Sequence, residues 1–379
     1  MTDTYSVVGY GRMLADRART DAYVAALERA VKPGSVVLDI GTGTGLFALV
    51  AARLGARRVY AVDPADAIRV ARQVARDNGL QDRVEFIQGL STAIELPEKA
   101  DVVVADLRGV LPTFQALVTS LADARERHLA PGGVLIPHGD TILAAPVEWP
   151  EAWDDLAGPG TLHGVDLTAA RRASLNEWSR GRLKATQLLA PAAAWATLDY
   201  RTATGADVEG TVEWRTGRAG TAHGLGVWFE ADLGGGIGFG SGPGTSTIYQ
   251  TAFFPWPEPV RLAGGDRVRV KLSARLVAGD YLWTWWSDIE RAGEPPLRFH
   301  QSTFLANPPT LERLRRRAHN HRARLGEDGR IDAYVLGRMD GSATLGEIAR
   351  ELHERHPARF GSWEKALTHV ARLSETYAE

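Results

Sequence analysis

Three glycines at alternate positions, Gly41, Gly43 and Gly45, stand between an apolar run and an apolar helix-like segment in VVLDIGTGTGLFAL. Glycine lets the backbone turn tightly and approach a ligand, and the first turn of a helix offers free N–H donors. Asp39 precedes the turn, and Asp63 ends the next apolar run, VYAVD. A carboxylate at the end of that second strand can accept both hydroxyls of a ribose. The spacing therefore predicts a ribose-bearing ligand held at this turn.

The elements that must position these residues alternate between strands and helices from residue 35 to about 145. Short β-branched runs predict strands at 35–40, 58–63, 83–87, 101–105 and 133–137. Apolar residues at helical spacing predict helices at 45–54, 64–78 and 111–129. This α/β alternation is typical of a parallel sheet flanked by helices. Because such sheets bind ligands at the carboxyl ends of their strands, we expect the site in the loops after residues 40, 63, 87 and 105.

The glycine spacing separates two cofactor classes. A dinucleotide-binding fingerprint would place its third glycine at position 46, which is Leu46 in this chain. With Asp39 two residues before the first glycine, the run instead resembles the first motif of class I S-adenosylmethionine-dependent methyltransferases. This resemblance implies S-adenosyl-L-methionine as the cofactor and S-adenosyl-L-homocysteine as its product. A nicotinamide or flavin enzyme is one alternative, and a glycine turn that only packs a helix on a sheet is another.

Longer strings resemble the protein arginine methyltransferases over about residues 5–305. MLADRART supplies Met13 and, six residues later, Arg19 followed by Thr20, where that family holds the carboxylate of the cofactor. QGLSTAIELPEKADVVVADLRG resembles the family's adenine-contacting loop and active-site strand, and GTAHGLGVWFEADL resembles the core of its β-barrel. The cofactor-binding residues that the resemblance implies are Met13, Arg19, Asp39, Gly41, Thr42, Gly43, Gly45, Leu46, Asp63, Pro64, Ser91, Thr92 and Asp106.

The predicted active-site loop, ADLRGVLPTFQAL, departs from that family. Methylation of arginine requires two carboxylates that hold the guanidinium bidentately. Asp106 stands in place of the family's first glutamate with a shorter side chain, and the uncharged Gln115 stands in place of the second. The segment 246–248 replaces the family's Thr-His-Trp barrel loop, and Arg108 would repel a substrate guanidinium.

Methyl transfer requires mainly the alignment of a deprotonated nucleophile with an activated methyl group, so one carboxylate can orient an amine. We therefore expect a nucleophile other than arginine, with Asp106 and Gln115 as catalytic residues. The favoured reaction is N-methylation of an amine on a ribosomally made biosynthetic peptide. O-methylation of a peptide carboxylate or a small natural product, a divergent arginine methyltransferase and an inactive scaffold are alternatives. Asp106 is alternatively the N-cap of the next helix. The predicted substrate pocket contains Tyr10, Arg108, Thr247 and Tyr249. Packing alone would also explain these residues.

The domain organisation follows from shifts in pattern along the chain. After about residue 145, short β-like runs separated by glycine predict an antiparallel barrel, interrupted by a helical segment at 166–181. A basic helix is predicted at 311–325, and we expect a homodimer. The predicted domains are a methyltransferase domain with N-terminal helices at 1–145, a β-barrel at 146–306 with a dimerisation arm near 160–182, a basic linker at 307–329 and a winged-helix or helical domain at 330–379.

The tail AYVLGRMDGSATLGEIARELHERHP resembles small winged-helix peptide-binding domains of ribosomal-peptide biosynthesis. The matching features are Asp340 and Gly341, the following T-L-x-E-I-A, and a last helix with apolar periodicity. Thr344 and Glu347 have the spacing of a capping box. Such domains bind an extended leader peptide as an added strand at a sheet edge. The resemblance implies a peptide substrate bound by this tail, while a plain helical cap or dimer element fits the same periodicity.

Composition excludes several other classes. The 44 basic and 46 acidic residues give a net charge of −2, which does not favour a nucleic-acid or anionic-membrane partner. The absence of cysteine excludes disulfides, thiolate nucleophiles and thiolate-bound metals. No histidine pattern beyond His319 and His321 suggests ligand spacing, so we expect no metal. No apolar run reaches the roughly 18 residues that cross a bilayer, and the N-terminus lacks an apolar signal core, so we expect a cytoplasmic protein.

Overall fold

The computed structural model describes residues 7–306 and 310–378. Residues 1–6 of the first predicted domain, 307–309 of the predicted linker and 379 of the predicted tail lie outside the described residues. The chain divides into two compact units, Met1–Pro308 and Pro309–Glu379.

The first unit begins with a parallel five-stranded sheet. Its strands lie in the order β3-β2-β1-β4-β5, so the direction of winding reverses between β1 and β4. Every residue of β1 is buried, as expected for a central parallel strand covered on both faces. The predicted strands are confirmed as β1 (Val36–Ile40), β2 (Arg58–Asp63), β3 (Val84–Gln88), β4 (Ala100–Ala105) and β5 (Leu129–Ile136).

Helices cover this sheet, and one of them is shorter than the sequence suggests. The helix predicted at 111–129 begins only at Leu117, because the preceding residues form turns that include Pro112. Its N-cap is Ala116, so the alternative role of Asp106 as the cap of this helix is wrong. The helices of this region are α1 (Val7–Ala15), α2 (Arg17–Ala30), α3 (Leu46–Arg53), α4 (Ala67–Asp77) and α5 (Leu117–Arg127).

The β region starts with β6 at Gly139, seven residues before the predicted start at 146, and its described strands form two main antiparallel sheets. The first follows the order β10-β6-β12-β14-β9, with β13 paired to β12, and the second follows β11-β15-β16-β17. A closed barrel is therefore not confirmed. The strands are β6 (Gly139–Val147), β7 (Thr161–Leu162), β8 (Val165–Asp166), β9 (Ser179–Gly181), β10 (Ala193–Asp199), β11 (Val208–Arg215), β12 (Gly220–Gly234), β13 (Ile237–Gly240), β14 (Thr251–Leu262), β15 (Arg267–Val277), β16 (Asp280–Glu290) and β17 (Leu297–Ser302).

The two sheets share one apolar core because their strands alternate inward and outward residues. Tyr281, Trp283 and Trp285 of β16 are buried, and their neighbours point away from the core. Two indole N–H groups inside this core have acceptors: Trp285 Nε1 donates to the Pro255 carbonyl at 3.0 Å, and Trp256 Nε1 donates to the Ser287 hydroxyl at 3.0 Å. The indole N–H groups of Trp195 and Trp214 have no acceptor among the described residues. The same core extends beneath β1 and β4, so the β region and the parallel sheet pack as one unit.

The segment predicted as a helical arm is only partly helical. Its helix is limited to α7 (Thr168–Ser174), and β9 pairs with β14, because Ser179–Gly181 satisfies its backbone groups at that sheet edge. The hairpin β7-β8 precedes α7 and carries Leu162 and Val165, which are 50% and 58% exposed. The other helices of this region are α6 (Pro150–Ala157) and α8 (Thr303–Ala306).

The second unit is helical. The predicted linker helix 311–325 ends at Arg317, and the following helix begins at Glu327, before the predicted boundary at 330, because Ile331 and Val335 pack into the core of this unit. The predicted capping box is present: the Glu347 amide donates to Thr344 Oγ1 at 3.3 Å, and the Thr344 amide donates to Glu347 Oε2 at 2.8 Å. The helices are α9 (Leu311–Arg317), α10 (Glu327–Gly337), α11 (Leu345–Arg355) and α12 (Trp363–Tyr377).

The described residues 310–378 contain no strand, so the β wing of a winged-helix domain is absent from that range. The wing was expected only because the helical part of the tail resembles a family whose domains have one. Within residues 7–306 and 310–378, no helix is both long and apolar enough to span a bilayer. The same residues contain no group of three or more acidic or histidine side chains arranged to hold a metal ion.

Candidate cofactor and acceptor site

The glycine turn lies at the carboxyl end of β1, beside the point where the strand order reverses, and open α/β sheets bind ligands there. Gly41 and Gly43 have φ values of +73° and +54°, a conformation that residues with a Cβ rarely adopt. A Cβ on Gly43 would lie 2.5 Å from Tyr10 Cε1, and a Cβ on Gly41 would lie 2.4 Å from Leu107 Cδ2. The turn therefore requires glycine both for its backbone and for the side chains that press on it.

Asp39 lies beneath this turn and holds it in shape. Its Oδ2 accepts hydrogen bonds from the Thr42 hydroxyl at 2.6 Å and from the Ala48 amide in α3 at 3.0 Å. Burial raises the pKa of Asp39 to about 7, against the lowering effect of these two hydrogen bonds. The structure thus places Asp39, predicted as a cofactor residue, where it positions Thr42 and the start of α3.

Asp63 points its carboxylate at the same turn from the end of β2. Asp63 Oδ2 accepts the Gly43 amide at 2.8 Å, and Oδ1 accepts the Ala65 amide at 2.8 Å. Each carboxylate oxygen can accept about two hydrogen bonds, so both retain capacity for a ribose hydroxyl. This arrangement fits the predicted ribose ligand. Pro64, the next predicted contact, is exposed beside it.

The loop after β3 contains a short 3-10 helix, Ser91–Ala93, in which Ser91 is buried and Thr92 is exposed. Arg127 at the end of α5 fixes this loop by donating to the Ser91 carbonyl at 2.8 Å. Sequence reasoning did not identify Arg127. This contact fixes the backbone of the loop at Ser91, and contact of Ser91 and Thr92 with an adenine stays a prediction from the resemblance.

Arg19, Asp106 and Tyr249 meet at the end of β4, although they lie far apart in the sequence. Arg19 Nε donates to Asp106 Oδ2 and, at 3.1 Å, to the Tyr249 hydroxyl. The Tyr249 hydroxyl donates to the same Asp106 oxygen at 2.6 Å. Burial alone would raise the pKa of Asp106, but the charges of Arg19 and Arg108 outweigh it and hold that pKa below its usual range. Asp106 is therefore a buried carboxylate held in its charged form.

Arg108 lies on the other side of Asp106 and is fully enclosed. Its Nε and Nη2 bind the Asp140 carboxylate at 2.9–3.1 Å, and its Nη1 donates to Asp106 Oδ1 at 3.1 Å and to the Tyr23 hydroxyl at 2.6 Å. The Tyr200 hydroxyl also donates to Asp140. Sequence reasoning missed Asp140, Tyr23 and Tyr200. The one available signal was an aspartate at the start of the otherwise apolar strand GDTILAAPV.

The structure brings most of the predicted pocket together but leaves Gln115 apart. Tyr10 covers Gly43, and the Met13 carbonyl accepts Arg19 Nη1 at 3.5 Å. Gln115 is exposed with φ at +43°, and no hydrogen bond joins its side chain to Asp106 in the described part of the chain. Thr247 is buried, and its hydroxyl has no hydrogen-bond partner among the described residues. Leu46 is half-buried at the start of α3.

The parallel sheet, the glycine turn and the carboxylate of Asp63 define a class I methyltransferase fold. The family model described as Ribosomal protein L11 methyltransferase (PrmA) matches residues 16–144. Probable protein arginine N-methyltransferase 6 of Arabidopsis thaliana is 28% identical over 260 residues, which cover 66% of this chain and 58% of that protein. Protein arginine N-methyltransferase PRMT10 of Oryza sativa subsp. japonica is 41% identical over 147 residues, 38% of this chain and 39% of the rice protein. The chain thus matches less than two thirds of the length of these relatives.

Two solved structures share the fold over most of this chain. The Trypanosoma brucei PRMT1 enzyme-prozyme heterotetrameric complex with AdoHcy has a TM-score of 0.74 at 23% identity, covering 79% of this chain and 99% of that one. Arabidopsis thaliana protein arginine methyltransferase 10, in an open conformation, has a TM-score of 0.69 at 24% identity, covering 79% and 98%. The chain therefore has the arginine methyltransferase fold.

Proposed function

We propose that this chain is an S-adenosylmethionine-dependent methyltransferase with the arginine methyltransferase architecture. The observation that carries the proposal is the placement of Asp63, whose two oxygens are fixed by the Gly43 and Ala65 amides at the ligand-binding edge of the sheet. The trypanosome complex of the same fold was solved with AdoHcy, which supports the choice of cofactor.

The residues around the turn divide the binding of this cofactor among them. Asp63 would accept the ribose hydroxyls, and the loop at Ser91 and Thr92 would cover the adenine. Arg19 Nε is engaged with Asp106 and Tyr249, and its Nη1 contacts the Met13 carbonyl, so Nη2 is the nitrogen that would bind the cofactor carboxylate. The cofactor supplies an activated methyl group, and the chain supplies its orientation.

Arginine side chains are the acceptor class that the relatives support, because the similar proteins of Arabidopsis and rice are named as arginine N-methyltransferases. In this proposal the chain is a divergent arginine methyltransferase. Asp106 at the end of β4 is its acceptor carboxylate, and the charged form that its neighbours maintain suits contact with a cation. The divergence lies in the missing second carboxylate, since Gln115 is uncharged and exposed.

A second candidate acceptor is an amine on a ribosomally made peptide, and the bonding of Asp106 favours it. Both oxygens of Asp106 are already engaged, one by Arg108 and the other by Arg19 and Tyr249. A bidentate grip on an external guanidinium needs both oxygens, whereas an amine needs one hydrogen bond. O-methylation ranks below both candidates because a substrate carboxylate would be repelled by Asp106.

The partners are further proposals. A homodimer is supported by Leu162 and Val165, the exposed apolar residues on the hairpin of the predicted arm. Binding of a peptide by the tail rests on its resemblance to peptide-binding domains. Residues 310–378 contain helices and no strand, so a peptide would bind to a helical surface of the tail and not as an added strand at a sheet edge.

Mass spectrometry of incubated peptides tests the function and ranks the acceptors. The wild type, Asp63→Ala and the exposed control Asp82→Ala are each incubated with S-adenosylmethionine and two substrates, an arginine-rich peptide and peptides encoded beside the gene. We expect added methyl groups on one substrate with the wild type and the control, and none with Asp63→Ala. Methylation of the arginine-rich peptide selects the first candidate, and methylation at an amine of a neighbouring peptide selects the second. Equal methylation by Asp63→Ala would contradict the proposal.

A further inference from the structure

Arg108 is enclosed by groups that together make a complete receptor for a guanidinium ion. The Asp140 carboxylate binds Nε and Nη2 of the guanidinium, and Asp106 and the Tyr23 hydroxyl both accept from the third nitrogen, Nη1. Phe229 and Phe239 lie with their ring centres 5.5 and 5.7 Å from Arg108 Cζ. Carboxylate pairs in the plane and aromatic rings against the ion are the contacts that guanidinium groups favour.

The position of this receptor distinguishes it from an ordinary buried ion pair. Asp106 is also the partner of Arg19, which belongs to the proposed cofactor site, and Leu107 between Asp106 and Arg108 presses on Gly41 of the glycine turn. The receptor thus adjoins the place where a methyl group would be delivered. It is filled from within, because the Arg108 side chain is 0% exposed and each of its nitrogens has a partner.

We propose that Asp106 and Asp140 form a guanidinium-binding site that Arg108 of the same chain occupies, and that Arg108 thereby excludes external guanidinium groups. Arg108 is in this account the residue that determines acceptor specificity. The inference rests on the proposed methyltransferase function, and between the two acceptor candidates it selects the amine over the arginine side chain. The chain does contain two carboxylates that bind a guanidinium, Asp106 and Asp140. Asp140 supplies the second negative charge that the uncharged Gln115 cannot supply.

Removal of the internal guanidinium tests the site directly, in the absence of cofactor. Arg108→Gly leaves a buried cavity with two carboxylates, and engineered cavities of side-chain size admit small ligands of matching chemistry. Thermal unfolding of the full chain is followed with methylguanidinium and, as a matched monovalent cation without the planar fork, methylammonium. We expect methylguanidinium to raise the melting temperature of Arg108→Gly by ~2–4 °C at about five times its Kd. Methylammonium should have no such effect, and methylguanidinium should not stabilise the wild type.

Two further variants keep the result interpretable. Arg108→Gly combined with Asp140→Asn has the same cavity with one carboxylate, so the rescue should disappear. Arg108→Lys fills the cavity with a cation, so methylguanidinium should not stabilise it. If Arg108→Gly folds poorly by itself, refolding yield with methylguanidinium against methylammonium gives the same comparison. Equal effects of the two cations, or rescue that survives Asp140→Asn, would overturn the proposal.

Methyl transfer then separates this inference from the proposed function. With S-adenosylmethionine present, Arg108→Gly is expected to methylate methylguanidine, and the wild type is not. Rescue by methylguanidinium without any methyl transfer supports the internally filled site and counts against guanidinium groups as acceptors in the proposed function. Failure of rescue while the wild type methylates a peptide removes the site and leaves the methyltransferase function intact.

Discussion

Replacement of Asp106 by asparagine tests how much the first unit depends on the charge at the end of β4. The Asp106 carboxylate accepts hydrogen bonds from Arg19, Arg108 and Tyr249, and its side chain is 3% exposed. The asparagine retains the shape but removes the negative charge between two buried guanidiniums. Removing one partner of a buried ion pair costs about 3–5 kcal/mol, because it leaves a buried charge without compensation. We expect Asp106→Asn to lower the free energy of unfolding by that amount.

Urea unfolding followed by tryptophan fluorescence measures this loss, because every tryptophan except Trp363 lies in the first unit. The matched control is Asp288→Asn, which breaks the exposed pair between Asp288 and Arg298. Exposed pairs contribute about 0–1 kcal/mol, so this control should unfold close to the wild type. An Asp106→Asn variant that unfolds within about 1 kcal/mol of the Asp288→Asn control would refute the charge-based account of this cluster.

The depressed pKa of Asp106 also gives a sign for the pH dependence of stability. A carboxylate with a folded-state pKa below its unfolded value stabilises the folded protein above the unfolded pKa, near pH ~4. That contribution is lost as the pH falls through the lower folded-state value. The stability difference between the wild type and Asp106→Asn should therefore be constant from neutral pH down to about pH 4 and shrink below it.

Three other predictions concern the turn and the tail. Asp39→Asn should gain stability relative to the wild type as the pH rises from about 4 to about 7, because the raised pKa of Asp39 makes its ionisation costly in the folded state; a pH-independent difference in urea unfolding would contradict this. Gly43→Ala should lose S-adenosylhomocysteine binding in calorimetry, because its Cβ would lie 2.5 Å from Tyr10 at a positive φ; wild-type affinity would exclude a tight turn at this position. Thr344→Ala should destabilise the second unit by about 1 kcal/mol through loss of the capping box with Glu347, measured by native-state hydrogen exchange of α11, where unchanged protection would refute it.

The parallel sheet was predictable because its inner strands β1, β2 and β4 are buried along almost their whole length and so appear as apolar runs rich in β-branched residues. The capping box of α11 was predictable because the interaction joins residues three positions apart. The start of the helix predicted at 111–129 could not be predicted, since the apolar residues before Leu117 lie in turns but have the same spacing as residues in a helix. The local sequence pattern therefore predicts which helices and strands form, but it does not predict accurately where they begin and end.

The charged cluster could not be predicted from local pattern. Arg108 and Asp140 are separated by β5 and α5, and they meet only because β6 begins beside the carboxyl end of β4. The sequence predicts that Arg108 repels a guanidinium from the acceptor pocket, whereas in the structure all three of its nitrogens have a carboxylate partner, Asp140 or Asp106. The role of the Arg108 charge depends on Asp106, which follows β4, and on Asp140 in β6, and these two strands belong to different sheets.

The wing of the tail was predicted only from the family resemblance, and residues 310–378 contain no strand that could form it. The residues that carried the resemblance, around Thr344 and the last helix, form α11 and α12 as expected. Nothing in the chain between them alternates in the manner of a strand, so the sheet was an addition from the family and not from these residues.

Isothermal titration of S-adenosylhomocysteine into the wild type, Asp63→Ala and Asp82→Ala is the most direct test of the central claim. Asp63 lies at the turn with both oxygens oriented by backbone amides, and Asp82 is an exposed aspartate before β3. The account predicts binding by the wild type and by Asp82→Ala, and at least a tenfold weaker affinity for Asp63→Ala, since loss of ribose hydrogen bonds to a charged group costs about 1.5–3 kcal/mol. Equal affinity for all three proteins, or no binding by the wild type, would contradict it.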